Sequence, residues 1–353
     1  MGVAAIRPAS GNAPVTAQVL PQPYLLFLGD TVEPGFAKTA FGLRDWASDR
    51  CVGEYALPQA RVTTGLPQMG PWEAYQAGAR ALVIGVANSG GFIADSWIPA
   101  LIEAMEAGLH IVSGMHARLE NVPQLKDAAH HYGKQLVNVR TPPKNLRIAT
   151  GLKRTGKRLL TVGTDCALGK KYTALAITRA LTQRGIDADF RATGQTGIMI
   201  AGSGIPMDAV VADFAAGAAE MLSPAAAVDH WDVIEGQGSL AHPAFAGVSL
   251  ALLHGSQPDV FVVCHSPSRT HLLGDEAFAL PSVEEIIDLT VRLGSRTNPE
   301  IRCAGICLNT SELDAQAAAA ALAAETERTG LPAADPIRGG PAFDRLIDAC
   351  LAG

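Results

Sequence analysis

The segment Leu159–Thr173 constrains this chain more than any other, because an apolar strand runs into a glycine-bounded loop and then into a helix-forming stretch. Its sequence is Leu-Leu-Thr-Val-Gly-Thr-Asp-Cys-Ala-Leu-Gly-Lys-Lys-Tyr-Thr. In such loops, backbone N–H groups converge on phosphate oxygens while a lysine neutralises their charge. The sequence therefore predicts a phosphate-binding loop in an α/β domain. An ordinary strand-to-helix turn is the alternative.

The residue after the loop lysine departs from the usual pattern. In loops that hydrolyse a metal-bound nucleotide, a Ser or Thr hydroxyl comes next and holds Mg²⁺. Here Lys170 is followed by Lys171, which supplies a second cation and no hydroxyl. This difference favours holding an anionic ligand, and we expect no metal to be required.

Cys166 lies inside the loop, beside the two lysines and a helix N-terminus. This environment lowers the pKa of a thiol. An acyl-cysteine intermediate is one hypothesis, but we predict instead a small residue that fits the loop. Asn309 follows a late strand and either hydrogen-bonds a purine base or caps the next helix. The predicted cofactor-binding residues are Gly163, Thr164, Asp165, Cys166, Gly169, Lys170, Lys171, Thr173 and Asn309.

Size and composition narrow the class of protein. The chain has 353 residues, 48% of them hydrophobic, which is enough for two globular domains. Because 28 Lys and Arg face 34 Asp and Glu, we expect no general attraction to nucleic acid or to anionic membranes. No uncharged apolar run reaches the ~20 residues of a membrane helix. Six scattered cysteines fit a reducing cytosol, and the Cys303–Cys307 segment is predicted as a buried strand. We expect a cytoplasmic, homo-oligomeric enzyme with a small-molecule substrate.

Apolar runs alternate with helix-length segments, which is typical of an α/β protein with a mainly parallel sheet. Helices are predicted at Trp97–Ala107 and Leu313–Arg328. Besides the strand before the loop, the predicted strands are Tyr24–Gly29, Ala81–Val86, His110–Ser113, Asp232–Glu235, Pro258–Cys264 and Ile301–Leu308. Two prolines and three basic residues near Val139–Lys144 indicate a domain boundary.

Polar residues follow several of these strands, where open α/β sheets bind ligands. Glu235 ends a strand and is followed by Gly-Gln-Gly-Ser. We predict a catalytic carboxylate, with a capping acid as the alternative. Gln237 is a substrate-binding candidate. His242 is a catalytic candidate because histidine acts as a base near neutral pH, although a lone histidine is more often a surface group.

A second glycine-dense region, Thr193–Gly204, is predicted to present backbone donors to a substrate carboxylate or thioester oxygen, with Gln195 as a substrate-binding candidate. Asp208 and Asp213 follow, and either is a base or an acid at a helix start. We select Asp208 as a catalytic candidate. Arg269, in the loop after a late strand, is predicted to pair with a substrate carboxylate, or else to be a surface arginine.

Two resemblances rest on these motifs. The loop Gly163–Lys170 with Val233–Gly238 resembles the dethiobiotin synthetase branch of phosphate-loop proteins, which has a metal-binding Thr at the position of Lys171. The wider pattern resembles a bacterial family of D-glutamate N-acetyltransferases. The segments that carry this second resemblance are Gly163–Lys170, Thr193–Gly202, Asp208–Asp213, Glu235–Leu240, His254–Ser256 and Leu308–Thr310.

The second resemblance implies both a fold and an activity. The expected fold is a Rossmann-like domain at 21–145 and a P-loop NTPase-like domain at 150–353, after a flexible N-terminus at 1–20. The expected co-substrate is acetyl-CoA and the expected acceptor is D-glutamate, in D-amino acid catabolism. We predict direct transfer, in which Glu235 or His242 deprotonates the amine and backbone N–H groups stabilise the oxyanion.

Other functions remain open at this point. The first resemblance implies an ATP-dependent ligase or kinase, in which Thr173 or Thr164 replaces the missing metal ligand. A nucleotide-sensing module without turnover is a third possibility. In the N-terminal part, the strand-end loops Phe27–Thr31 and Val86–Phe92 either complete the active site, hold part of coenzyme A, or are scaffold.

Overall fold

The computed structural model describes residues 20–88 and 90–352. The predicted flexible N-terminus, 1–20, lies outside the described residues except for Leu20. The described chain divides into two compact units: residues 20–141 with Ile198–Pro206, and Pro142–Gly197 with residues 207–352. The domain limits 21–145 and 150–353 stay a prediction.

The first unit contains a parallel five-stranded sheet with the strand order β2-β1-β3-β4-β5. Its strands are β1 (Tyr24–Gly29), β2 (Cys51–Ala56), β3 (Ala81–Ile84), β4 (His110–Ser113) and β5 (Leu136–Asn138). Its helices are α1 (Lys38–Trp46), α2 (Pro71–Gln76), α3 (Ile98–Glu106) and α4 (Pro123–Tyr132). Every residue of β1 is buried, as expected for a parallel strand covered on both faces.

The predicted elements of the first unit are confirmed, while two edge strands were not predicted. Strands β1, β3 and β4 and helix α3 occupy the predicted segments. The strand β2 contains a fully buried carboxylate, Glu54, which accepts hydrogen bonds from Thr64 N (2.6 Å) and Gln68 Nε2 (2.7 Å). A polar residue inside the unit conceals the apolar pattern of this strand, and β5 has only three residues.

The second unit contains a parallel six-stranded sheet with the order β13-β12-β9-β6-β8-β7. Its strands are β6 (Lys157–Gly163), β7 (Ala188–Arg191), β8 (Trp231–Ile234), β9 (Val260–His265), β12 (Arg302–Leu308) and β13 (Ala333–Ala334). A separate antiparallel hairpin pairs β10 (His271–Leu272) with β11 (Asp275–Ala279). The helices are α5 (Lys170–Gln183), α6 (Gln195–Ala201), α7 (Ala212–Leu222), α8 (Ala246–Ser256), α9 (Val283–Gly294), α10 (Ala315–Thr329) and α11 (Pro341–Leu351), and the residues of α6 from Ile198 onward count with the first unit.

The strand β6 lies in the middle of this sheet, paired with β8 on one side and β9 on the other. Because all pairs are parallel, the loops that follow β6, β8, β9 and β12 leave the same edge of the sheet. The predicted strands at β8, β9 and β12 and the helix α10 are confirmed to within two residues. The short strands β7 and β13 and the hairpin were not predicted. Among the residues that the structure describes, no helix is long and apolar enough to cross a bilayer.

Buried charged side chains connect the amino-terminal ends of β7 and β8 in the second sheet. Asp189 and Asp232 are register partners, and Arg191 Nε donates a hydrogen bond to Asp232. The nitrogens Nδ1 and Nε2 of His230 lie 2.7 Å from Asp187 Oδ2 and 3.2 Å from Asp232 Oδ1. The hydrogen bond to Asp232, aided by the one to Asp187, raises the pKa of His230 to about 9. The protonated histidine therefore stabilises the carboxylates around it.

This arrangement predicts a pH-dependent contribution to stability. Because the pKa of His230 is higher in the folded state, the contribution is complete below the unfolded pKa of about 6.5 and is lost as pH rises through about 9. His230→Gln should lower the free energy of unfolding by roughly 2–3 kcal/mol near pH 6 and by much less near pH 10. Urea unfolding at both pH values measures this difference. His131→Gln, at an exposed histidine, is the control. An equal loss at both pH values would contradict the prediction.

Candidate active site

The loop between β6 and α5 brings a buried lysine to the start of a helix. Gly169 precedes the helix with φ of 98°, a left-handed conformation that favours glycine. The buried Lys170 reaches back across the loop, and its Nζ donates a hydrogen bond to the backbone oxygen of Asp165 (2.6 Å). Burial lowers the pKa of Lys170. A cation and the start of a helix are thus held together where an anion can bind.

The hydroxyl groups near the loop are engaged with the end of β9. Thr173 is buried, and its Oγ1 accepts a hydrogen bond from Cys264 Sγ (3.5 Å). Thr164 Oγ1 lies 3.0 Å from His265 Nδ1. Burial, aided by nearby arginines, lowers the pKa of His265 to about 4, so this ring is neutral at physiological pH. Both hydroxyls therefore have hydrogen-bond partners at the end of β9.

Asp165 lies within the loop and is fully buried. Its Oδ1 accepts a hydrogen bond from Cys166 N (2.6 Å). Its Oδ2 accepts two more, from Arg269 Nη1 and from Leu273 N, both at 2.8 Å. Asp165, predicted as a cofactor ligand, therefore directs its carboxylate to the protein.

Arg269 is held by one of its three nitrogens. Besides Asp165, Nη1 donates to the backbone oxygen of Cys166 (2.8 Å). Within the described part of the chain, Nε and Nη2 make no hydrogen bond, and the side chain is 22% exposed. The edge formed by Nε and Nη2 can therefore make a bidentate hydrogen-bond pair with a carboxylate.

Burial shifts the pKa of the Cys166 thiol in the direction opposite to the prediction. The pKa of Cys166 is raised, because burial outweighs the charge of Lys170. The expectation of a lowered pKa was therefore wrong. The reason is that the residue is half-buried, so a thiolate would lose part of its hydration. This result agrees with a residue that fits the loop.

Glu235 connects the end of β8 to the second glycine-rich region. The carboxylate is buried, and Oε2 accepts hydrogen bonds from Thr193 N (2.9 Å) and Gly194 N (3.0 Å). Gln237 Nε2 donates to Thr193 Oγ1 (2.8 Å), so it belongs to the same group. Burial raises the pKa of Glu235, and Lys171 opposes this rise. One oxygen is anchored, while Oε1 makes no hydrogen bond with described residues.

His242 lies beside the loop with its ring orientation set by the backbone. Its Nδ1 accepts a hydrogen bond from Ala244 N (3.1 Å), and its Nε2 lies 3.8 Å from Asp165 Oδ1. In a neutral ring whose Nδ1 accepts, Nε2 carries the proton. The ring therefore presents a donor towards the loop. Cys166, His242 and Asp165 have ligand atoms within 4.8 Å of one another, but a protonated Nε2 has no lone pair for a metal.

The remaining predicted residues lie outside this buried group. Asp208 is exposed in a short turn of 3₁₀ helix, Met207–Ala209. Gln195 is half-buried at the first position of α6. Asn309 Oδ1 accepts a hydrogen bond from Ser311 N (3.1 Å) within a local turn. The alternative role as a helix cap was wrong, because Asp314 caps the next helix, α10. The predicted backbone donors of Thr193 and Gly194 bind Glu235. The N–H group of Leu273 was missed, because a backbone donor carries no side-chain signal in a sequence.

Known proteins share both units of this architecture. Residues 147–346 match a domain of unknown function described as the DUF1611_C P-loop domain, and residues 49–142 match the DUF1611_N Rossmann-like domain. The predicted fold class is therefore confirmed. A D-glutamate N-acetyltransferase of Tritonibacter scottomollicae is 49% identical over 94% of this chain and 98% of its own length.

Two further proteins are similar to this chain over most of its length. A D-glutamate N-acetyltransferase of a Pseudoalteromonas species is 47% identical over 90% of this chain and 96% of its own. The crystal structure of a DUF1611 family protein from Anabaena variabilis has a TM-score of 0.83 at 34% identity. That similarity covers 94% of this chain and 98% of the other.

The close approach of α6 to Glu235 predicts an unusual glycine substitution. Alanine usually stabilises a helix by up to about 1 kcal/mol relative to glycine. At Gly197 a Cβ would collide with the Glu235 carboxylate, so Gly197→Ala should lower stability by roughly 1–3 kcal/mol. Gly247→Ala in α8 is the matched control, because open space surrounds that position. Thermal unfolding should move in opposite directions for the two variants, and a common direction would disprove the collision.

Proposed function

The chain belongs to the DUF1611 family, together with relatives named D-glutamate N-acetyltransferase, and we propose that it transfers an acetyl group from acetyl-CoA to the amino group of D-glutamate. The observation that carries the proposal is a phosphate loop with Lys171 in place of the usual Ser or Thr, beside a buried carboxylate and a partly exposed arginine. We also propose a cytoplasmic homo-oligomer that acts in D-amino acid catabolism.

The loop supports coenzyme A as the donor. Coenzyme A carries a pyrophosphate and a ribose phosphate, which are ligands for backbone N–H groups at a helix start and for lysine side chains. Lys170 and Lys171 supply the positive charge that a metal ion supplies in nucleotide-hydrolysing loops. The engagement of Thr173 and Thr164 with residues of β9 gives the ATP-dependent alternative less support.

Glu235 is our choice for the general base. Two backbone N–H groups hold Oε2, which leaves Oε1 to accept a proton, and burial raises the pKa of the carboxyl towards the pH at which the reaction runs. His242 is less suitable, because the hydrogen bond from Ala244 N leaves the proton on Nε2. That N–H serves instead as a donor to the oxyanion.

The proposed reaction is a direct transfer. Glu235 takes a proton from the ammonium group of the acceptor, and the amine nitrogen attacks the thioester carbonyl carbon. The new N–C bond forms and the C–S bond breaks. The coenzyme A thiolate leaves and takes the surplus proton of the attacking nitrogen, which gives the amide and the free thiol, while the proton on Glu235 passes to solvent. Arg269 binds an acceptor carboxylate through Nε and Nη2, which aligns the amine with the thioester. Gln237 and Gln195 are proposed as further substrate contacts, and Asp208 as a further catalytic residue.

Release of free thiol tests the function. The purified protein is incubated with acetyl-CoA and either D- or L-glutamate, while phosphate release from Mg-ATP is followed in parallel. We expect thiol release that requires D-glutamate and persists in the presence of a chelator. Phosphate release without thiol release would support the ligase or kinase, and tight ligand binding without any product would support a sensing module.

Glu235→Gln tests the base. The amide can still accept the two backbone hydrogen bonds, but it cannot take a proton. We expect kcat to fall roughly 10²- to 10⁴-fold, while the acetyl-CoA KM changes little. Because the carboxyl pKa is raised, wild-type kcat should fall as pH drops through that raised value, and the variant should lose this dependence. Full turnover of the variant at saturating substrates across the pH range would rule out this role.

A further inference from the structure

A buried carboxylate inside an anion-binding loop needs a physical reason. Asp165 is fully buried and lies five residues before Lys170, so its charge opposes the binding of phosphates. A buried charge is retained only when it is paired and hydrogen-bonded. The pairing partners of Asp165 come from the segment after β9, about a hundred residues away in sequence. The role of Asp165 therefore depends on the two groups that it binds, Arg269 Nη1 and Leu273 N.

Asp165 and the adjacent Cys166 fix the orientation of Arg269. Nη1 bridges Asp165 Oδ2 and the Cys166 backbone oxygen, both at 2.8 Å. Two acceptors on one nitrogen define the plane of the guanidinium. The edge formed by Nε and Nη2 then has a set direction before any ligand arrives. Such pre-organisation reduces the entropy that is lost on binding.

The same carboxylate oxygen anchors the β10–β11 hairpin. Leu273 N lies between the two strands and donates to Asp165 Oδ2 (2.8 Å). Every residue of β11 is exposed, and an isolated two-stranded hairpin is marginally stable in water. One buried acceptor thus holds both Arg269 and the hairpin that follows it against the phosphate loop.

We propose that Asp165 is a positioning residue for the acceptor: it aims Arg269 at a carboxylate of the amino-acid substrate without touching the substrate itself. This inference rests on the proposed function. It assigns a residue of the donor-binding loop to recognition of the other substrate. The ligand class is an amino acid with a carboxylate that pairs with one edge of a guanidinium.

Asp165→Asn separates this role from a role in the loop itself. The amide keeps the size of the side chain but cannot hold the arginine as an ion pair. We expect the KM for D-glutamate to rise roughly ten- to a hundred-fold, with kcat within about two-fold of wild type. The KM for acetyl-CoA should stay the same or fall, because a negative charge near the phosphates has been removed. A rise in the acetyl-CoA KM with an unchanged D-glutamate KM would overturn the proposal.

A double-mutant cycle checks that Asp165 acts through Arg269. The double variant D165N/R269Q should have the same D-glutamate KM as R269Q alone, because there is no arginine left to position. Independent, multiplying effects would contradict the proposal. Glu276→Gln, at an exposed residue of the hairpin, is the control and should match wild type.

Arg269→Lys keeps the proposal testable if Asp165→Asn does not fold. Lysine retains the ion pair with Asp165 but lacks the two-point edge, so the D-glutamate KM should rise as in Asp165→Asn. Wild-type affinity in this variant would overturn the inference. Failure of the proposed function looks different, because the wild-type protein itself would then release no thiol with D-glutamate.

Discussion

Parallel pairing of β6 with β8 and β9 is the constraint on which the candidate site depends. Because the three strands run in the same direction, the phosphate loop, Glu235 and the Arg269 loop all leave the same edge of the sheet. At that edge Gly163 of β6 is the register partner of Cys264 of β9. Glycine is needed near this point, since a Cβ on Gly236 would collide with the backbone of Thr161. Chemistry-bearing residues far apart in sequence thereby become neighbours.

Burial and nearby charges together set the pKa values of the ionisable groups at this edge of the sheet. Burial lowers the pKa of Lys170 and raises the pKa of Glu235, so each group is moved towards its neutral form. The lysines of the loop oppose the shift of Glu235, and Arg269 pairs with Asp165. A site with buried groups of both signs can bind an anionic donor and still hold a proton acceptor. Acetyl transfer to an amine requires this combination.

Lys171 stands where the usual phosphate loop has a Ser or Thr. A hydroxyl at the position of Lys171 would hold Mg²⁺, whereas the hydroxyls of Thr164 and Thr173 are engaged with residues of β9. The fold alone does not decide between a nucleotide and coenzyme A as the ligand. The proposal of coenzyme A therefore rests on the two lysines at the start of α5.

The sequence by itself determined the α/β fold, the strand, loop and helix around Lys170, the position of Glu235 at a strand end and the missing hydroxyl, because these depend on neighbours along the chain. Strands β2, β5, β7 and β13 were missed, since short or edge strands carry a weak apolar pattern. Only the tertiary structure decided that Asp165 holds Arg269 and Leu273 and that His242 presents a donor. It also reversed the predicted shift of the Cys166 pKa. The Asp165 contacts join residues about a hundred positions apart, and desolvation depends on what surrounds a group in space.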